Sequence, residues 1–293
     1  MEKHYSPLQN YPTQFNEVGV RGIMLSDLVL TWFDYIYQRY APKTVIQYKL
    51  VLRQFLASLP PNVSISQITP SHILNYTTNL SKTKHTNRTC NDYLIAIRSF
   101  YHWAADNYNI TNPTIRIRNL REQPPKIRIL GENEYQMILS VAKNENKDAI
   151  QFLANTGLRR NEFRFLKWCD FTIEYIYVDG KANKNRIVPL NSICKKIIAN
   201  YPKENERPQF IQKFTPYRER LYRLCQSLAN QAKIPPFGPH ALRHFFATRL
   251  IQAGVPLIKV SKILGHANTL ITQQIYVHLV PEDLTGVTDC LEL

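Results

Sequence analysis

Apolar residues along the chain recur first with a helical period and only briefly with a strand period. From Met24, "MLSDLVLTWFDYIYQRY" places Leu25, Leu28, Trp32, Tyr35 and Ile36 at helical intervals. Pro42 opens a second helix, "PKTVIQYKLVLRQFLASL", with Val45, Tyr48, Leu52, Phe55 and Leu56 on one face. "PPNVSISQI" breaks it, and Thr69-Pro70 starts a third helix through Leu80, with threonine as the cap. "KTKHTNRTCNDYLIAIRSFYHWAADN" reads as one long fourth helix. Its apolar stripe is Leu94, Ile97, Phe100, Tyr101 and Ala104, and Lys82, Lys84, His85, Arg88 and Arg98 form a basic edge.

The pattern then changes. "NITNPTIRIRNLREQPPKIRIL" has three prolines, five Arg or Lys and no helical face, so it reads as an extended basic linker. Such a segment can lie along a phosphate backbone or can be a solvated tether. From Gly131 helical periodicity returns in "ENEYQMILSVAK" and "DAIQFLANTG". "TIEYIYVDG" and "NRIVPL" are rich in Ile, Val and Tyr and read as a short β-hairpin. Helices resume at 191–200 and 215–233 and through the C-terminal third. The expected organisation is a loose arm at 1–21, a helical domain at 22–110, a basic linker at 111–130 and a mixed domain at 131–293. The expected fold class is mainly α with a small β-sheet.

Composition narrows the function classes. The 44% apolar fraction fits a folded chain, and no apolar run is long enough to span a bilayer. The N-terminus shows no basic-then-apolar signal layout, so a cytosolic or nucleoid location is expected. Five dispersed cysteines without a CxxC pair argue against a zinc ribbon or a disulfide frame. Lys and Arg number 37 against 22 Asp and Glu, a net charge of +15. The excess is spread along the folded segments and points to a polyanionic partner, with solubility as the plainer alternative.

Four short stretches hold the polar groups of interest. In "NTGLRRNEFRFLKW", Arg159 follows a glycine turn at a helix start, and Glu162 lies three residues on, where it can hold the guanidinium. The same pair is also an ordinary helix-capping ion pair. In "DGKANKNRIVPL", Lys181 lies in the hairpin turn, with Lys184 and Arg186 near; turn lysines are more often simply solvated. In "PHALRHFFATRL", His240 and Arg243 project from one side of the first helical turn. His240 and His244 have metal-ligand spacing, but no glutamate stands between them and Arg243 disfavours a cation. In "LGHANTLITQQIYVH", Gly265-His266 ends a helix and Tyr276 follows ten residues after His266. Tyr276 is equally read as a core aromatic, and His266 as a structural histidine.

Together these groups suit phosphodiester chemistry. Arginines bind the non-bridging oxygens and stabilise a five-coordinate transition state. A phenol is a poor nucleophile at its free pKa near 10 and needs a base or a positive field. Histidine moves protons near neutral pH, and lysine can protonate a leaving sugar oxygen. No metal or other cofactor is required by such a set.

The order Arg159, Lys181, His240-x-x-Arg243, Leu264-Gly265-His266 and Tyr276 resembles the tyrosine recombinase, or phage integrase, family over nearly the whole chain. "NDYLIAIRSFYHWAADNYNITNPT" is similar to the end of that family's N-terminal core-binding domain. The resemblance implies a helical core-binding domain and a mixed α+β catalytic domain. It implies that Arg159 and Arg243 clamp the scissile phosphate, Lys181 protonates the leaving 5′ oxygen, His240 serves the tyrosine as base and acid, and His266 bonds a phosphate oxygen. Tyr276 would form a 3′-phosphotyrosyl link, with Glu162 as support and no cofactor. The implied partners are double-stranded DNA and three further copies of the chain, a homotetramer on two sites, with accessory DNA-bending proteins left open. Integration, excision and resolution, as on a mobile element, share this chemistry. Lys82, Lys84, Arg88 and Arg98 are the expected DNA contacts of the first domain. Two departures stand out: Arg160 adjoins Arg159, and the interval from His266 to Tyr276 is one residue longer than the family's common pattern. The last residues, "LVPEDLTGVTDCLEL", are expected to form a short helix that docks on a neighbouring protomer. The competing readings are a type IB topoisomerase-like nicking-closing enzyme and a DNA-binding regulator without catalysis.

Overall fold

A computed structural model describes residues 22–83, 85–123, 127–179, 185–217, 219–266 and 276. The chain divides into two compact units, Met1–Pro125 and Lys126–Leu293. Among the described residues, no helix is long and apolar enough to cross a membrane.

The first unit is built from α1 (Leu25–Arg39), α2 (Pro42–Ala57), α3 (Pro70–Ser81) and α4 (Asn87–Tyr108). Pro42 and Pro70 occupy first-turn positions, where the missing N–H costs nothing. The Thr69 hydroxyl and the His72 ring close the start of α3 reciprocally. The apolar stripes meet around Trp32, which stacks on Tyr48 at 5.7 Å and meets Phe100 edge-on at 5.6 Å. Trp32, Phe55, Phe100 and Tyr101 are fully buried. Each such side chain contributes about 1.5–3 kcal/mol by leaving water.

The fourth helix begins later than periodicity predicts. Thr86 lies outside α4, and its Oγ1 accepts from the Thr89 N–H at 3.2 Å, which satisfies one of the orphan donors of a helix start. Lys82 caps the end of α3, and Lys82 and His85 precede α4 rather than lining it. Lys84 lies outside the described residues.

The proline-rich segment is held against α4 over much of its length. Asn91 exchanges bonds with Leu120, its Nδ2 donating to the carbonyl at 2.9 Å and its Oδ1 accepting from the N–H at 2.9 Å. Asn87 donates to the Arg121 carbonyl at 2.8 Å. Arg98 donates to the Ile117 carbonyl and to Asn119 Oδ1. Ile117 is buried in the helical core. Side chains of α4 thus satisfy backbone groups of a segment that has no ladder of its own. The boundary between the units falls after Pro125, inside the segment read as a linker.

The second unit carries α5 (Glu132–Val141), α6 (Asn144–Thr156), α7 (Arg160–Phe165), a hairpin of β1 (Tyr175–Val178) and β2 (Arg186–Pro189), α8 (Ser192–Ala199), α9 (Gln209–Gln212), α10 (Arg220–Gln231), α11 (Pro239–Gln252) and α12 (Leu257–Leu264). The strands are antiparallel, with Ile176 opposite Val188 and Val178 opposite Arg186. Ile176, Val178 and Val188 point into a core with Phe152, Phe163, Phe210 and Phe214. Helix α11 packs on α6 and on α12, and β2 meets α12. A smaller apolar cluster, Ala247, Ile251, Val260, Leu264 and Tyr276, forms beside α11 and α12.

Candidate active site

The site of the second unit is organised by two helix C-termini, those of α6 and α12. Gly157 ends α6 at φ 62° and Gly265 ends α12 at φ 66°, left-handed conformations that glycine adopts without a Cβ penalty. A Cβ at Gly265 would lie 2.7 Å from Arg186 Cδ, so the close approach also requires glycine.

Three arginines bond three successive carbonyls at the end of α12. Arg186 Nε donates to Ile263 O at 2.7 Å, Arg243 Nη2 to Leu264 O at 2.8 Å and Arg159 Nη2 to Gly265 O at 2.9 Å. Arg243 also donates from Nη1 to Gly157 O at 2.8 Å, which joins the ends of α6 and α12. Guanidinium charge at these termini is favoured by the negative ends of the helix dipoles.

Glu162 supplies the balancing carboxylate. Its Oε1 accepts from Arg159 Nη1 at 2.7 Å and Arg186 Nη1 at 2.8 Å. Its Oε2 accepts from the Arg159 backbone N–H and Arg186 Nη2, both at 2.7 Å. Burial would raise this carboxyl's pKa, but the bonds and charges of Arg186 and Arg159 outweigh it and bring it down to about 2. Three guanidiniums and one carboxylate leave two net positive charges. Arg159 spends two of its five N–H donors on Glu162 and Gly265, and its side chain is 36% exposed, so donors remain for an anion. Arg243 is buried; desolvation and the nearby Arg159 lower its pKa to about 9, so it stays charged at neutral pH.

Tyr276 is 1% exposed, within the apolar cluster of α11 and α12. Its hydroxyl lies 2.5 Å from Nδ1 of His244. Burial raises the phenol to about 12, with Arg243 pulling the other way. Burial, then His240 and Arg243, lower His244 to about 4. At neutral pH the pair is therefore a phenol donating to a neutral imidazole. His266, just past the end of α12, is lowered to about 4 by burial and then by Arg243 and Arg159. His240 keeps an open edge, yet burial of the rest of its ring, then Arg243, Arg160 and Arg159, lower its pKa too.

The fold thus gathers Arg159, Glu162, His240, Arg243, His266 and Tyr276 around one positive site. The tyrosine's partner differs from the expected one. His240 and His244 are one turn apart on α11, and the docked ring reaches His244, while His240 sits at the helix start. Arg186, noted in the sequence only as a neighbour of Lys181, is bonded to both Glu162 and α12. Lys181, Lys184 and the C-terminal segment read as a protomer-docking helix lie outside the described residues. In the first unit, Lys82 and Arg88 are exposed, whereas Arg98 is engaged by Asn119 and Ile117.

Residues 128–283 match the model described as the phage integrase family, and residues 30–107 match the phage integrase N-terminal SAM-like domain. A tyrosine recombinase of Pseudothermotoga lettingae is 30% identical over 265 residues, covering 84% of this chain and 91% of the relative. The tyrosine recombinase XerC of Halalkalibacterium halodurans is 29% identical over 281 residues, covering 85% of this chain and 91% of the relative. Among solved structures, the fold is similar to that of a lambda integrase dimer bound to a COC′ core site, with a TM-score of 0.72 at 19% identity over 85% of this chain and 97% of that one. It is also similar to the Tn1549 transposon integrase in complex with transposon right end DNA, with a TM-score of 0.71 at 18% identity over 92% and 100%.

Proposed function

The chain belongs to the phage integrase family of tyrosine recombinases, enzymes of site-specific DNA recombination, and from that premise we propose that it cuts and rejoins DNA through a 3′-phosphotyrosyl intermediate on Tyr276. The observation that carries the reading is the convergence of Arg159 and Arg243 on the end of α12, with Tyr276 inside the field of Arg243.

In this reading the scissile phosphate takes the place of solvent beside Arg159. The guanidiniums of Arg159 and Arg243 stabilise the charge of the five-coordinate transition state; their bonds to helix-end carbonyls hold them in place before reaction. The phenol leaves the His244 contact and attacks phosphorus as its proton passes to His240. The phosphorus–O5′ bond breaks, Lys181 gives the leaving oxygen its proton, and His266 bonds a phosphate oxygen. The phosphodiester energy is kept in the tyrosyl link, so the reverse attack by a 5′-hydroxyl reseals the strand without ATP. Exchange between two sites implies four copies on two DNA duplexes, bound through the positive surface that a net charge of +15 supplies.

The test is a nicked suicide substrate carrying the chain's own target. A covalent protein–DNA adduct is expected, lost on Tyr276→Phe with DNA binding retained. Failure to trap an adduct on a substrate that the protein binds and recombines would overturn the reading.

A further inference from the structure

We infer that Arg186 is a positioning residue for strand cleavage: it fixes Glu162, and through Glu162 the Arg159 guanidinium, against the end of α12. The inference rests on the reading of Arg159 as a phosphate clamp.

Arg186 is the first residue of β2 and pairs with Val178, the last residue of β1, so it stands at the end of the hairpin from which the connecting sequence that contains Lys181 leaves. Its side chain is 7% exposed and spends three donors inside the protein. Two form a parallel pair with the Glu162 carboxylate at 2.8 and 2.7 Å, and Nε bonds Ile263 O at 2.7 Å. A planar fork of this kind fixes orientation as well as charge. Glu162 in turn bonds both the backbone and the side chain of Arg159. One guanidinium therefore ties β2, α7 and α12 together around the clamp without itself being open to a phosphate.

Removal of Arg186 has a consequence that loss of packing alone does not. The groups facing Glu162 are Arg159 from the α6–α7 turn, Arg186 from β2, and His240 and Arg243 from α11. Burial is the strongest influence on Glu162 and acts upward; Arg186 is the strongest one acting downward. Without Arg186 the carboxyl is protonated at a milder pH, and a neutral Glu162 no longer holds Arg159 by charge. Cleavage should then acquire an acid-side loss that the unaltered protein lacks.

The experiment compares Arg186→Met, Arg186→Lys and the double variant Glu162→Gln/Arg186→Met with the unaltered full chain. Single-turnover adduct formation is measured on the suicide substrate across pH, beside DNA affinity. Arg186→Met should slow cleavage about 10- to 100-fold at neutral pH with affinity little changed. Its rate relative to the unaltered protein should fall further as the medium is made acidic, and the double variant should lack that extra fall. Arg186→Lys, one charge without the fork, should lie between and serves if Arg186→Met does not fold. A pH-independent ratio in Arg186→Met, or cleavage by Arg186→Lys equal to that of the unaltered protein, would overturn the inference. Tyr276→Phe, run in parallel, reports on the nucleophile separately, since an adduct there removes Tyr276 and leaves the Arg186 ratios readable.

Discussion

The hydroxyl of Tyr276 lies 2.5 Å from Nδ1 of His244, in a pocket where the ring is 1% exposed. With the phenol raised to about 12 and the imidazole lowered to about 4, the proton stays on oxygen. Burial keeps the phenol neutral even within reach of Arg243, so the proposed attack requires its oxygen to leave His244 for a phosphate held beside Arg159 and Arg243. Replacing His244 by Phe should leave a buried phenolic hydroxyl without its acceptor and destabilise the chain by about 1–3 kcal/mol. In a Tyr276→Phe background the same change should cost less. Urea denaturation of the four proteins measures the coupling, and additive effects would remove the contact from the account.

Arg243 performs two tasks at once. It joins the ends of α6 and α12 through the Gly157 and Leu264 carbonyls, and it supplies charge to the site. Arg243→Ala should lower single-turnover cleavage by about 10²–10³-fold or more. Arg243→Lys should recover little of this, because an ammonium cannot span both carbonyls in the guanidinium's plane. Cleavage by Arg243→Lys near the unaltered rate would show that charge without geometry suffices.

Glu162 makes stability depend on acid. Its carboxyl ionises near 2 in the folded chain, against a reference value of 4.5. A depressed carboxylate pKa stabilises the fold fully above about pH 4.5, and that contribution is lost as pH falls toward 2. The contribution is on the order of 3 kcal/mol at neutral pH. Chemical denaturation from pH 7 to 3 should show Glu162→Gln losing its stability deficit as the medium becomes acidic. A deficit constant with pH would contradict the ion-pair account.

The positive balance sets a salt dependence. Each phosphate neutralised releases about 0.9 counterions. DNA affinity should fall by orders of magnitude between low and moderate salt, with a slope that Lys82→Ala or Arg88→Ala reduces by about one where either touches a phosphate. Arg98→Ala should act differently, lowering the stability of the first unit, because Arg98 is bonded to Asn119 and Ile117. A change in salt slope for Arg98→Ala without loss of stability would reverse that assignment.

Much of the fold is legible in the chain, and the exceptions have separate physical causes. Pro42, Pro70 and the apolar stripes mark α1 to α3, and the alternation of Ile, Val and Tyr marks the hairpin. Periodicity sets the start of α4 too early because the basic run from Lys82 continues a helical spacing; Thr86, as a cap, decides the boundary. Helix α9 has only four residues, too few to show a period. Residue type and order single out Arg159, Glu162, His240, Arg243, His266 and Tyr276, which the fold brings together. Their partners are not singled out in this way, since Arg186 meets Glu162 across 24 positions, and His240 and His244 share a helix face on which only docking of Tyr276 makes the choice. The segment after α4 looked like a tether because its bonds come from Asn91 and Arg98, residues that carry no local signal of that role.

In the proposed reaction one phenol, that of Tyr276, becomes covalently joined to DNA. The most direct measurement is peptide mapping by mass spectrometry of the adduct trapped on a suicide substrate. The expected product is a nucleotide linked through its 3′ phosphate to Tyr276. A linkage to any other residue, or through a 5′ phosphate, would contradict that reaction.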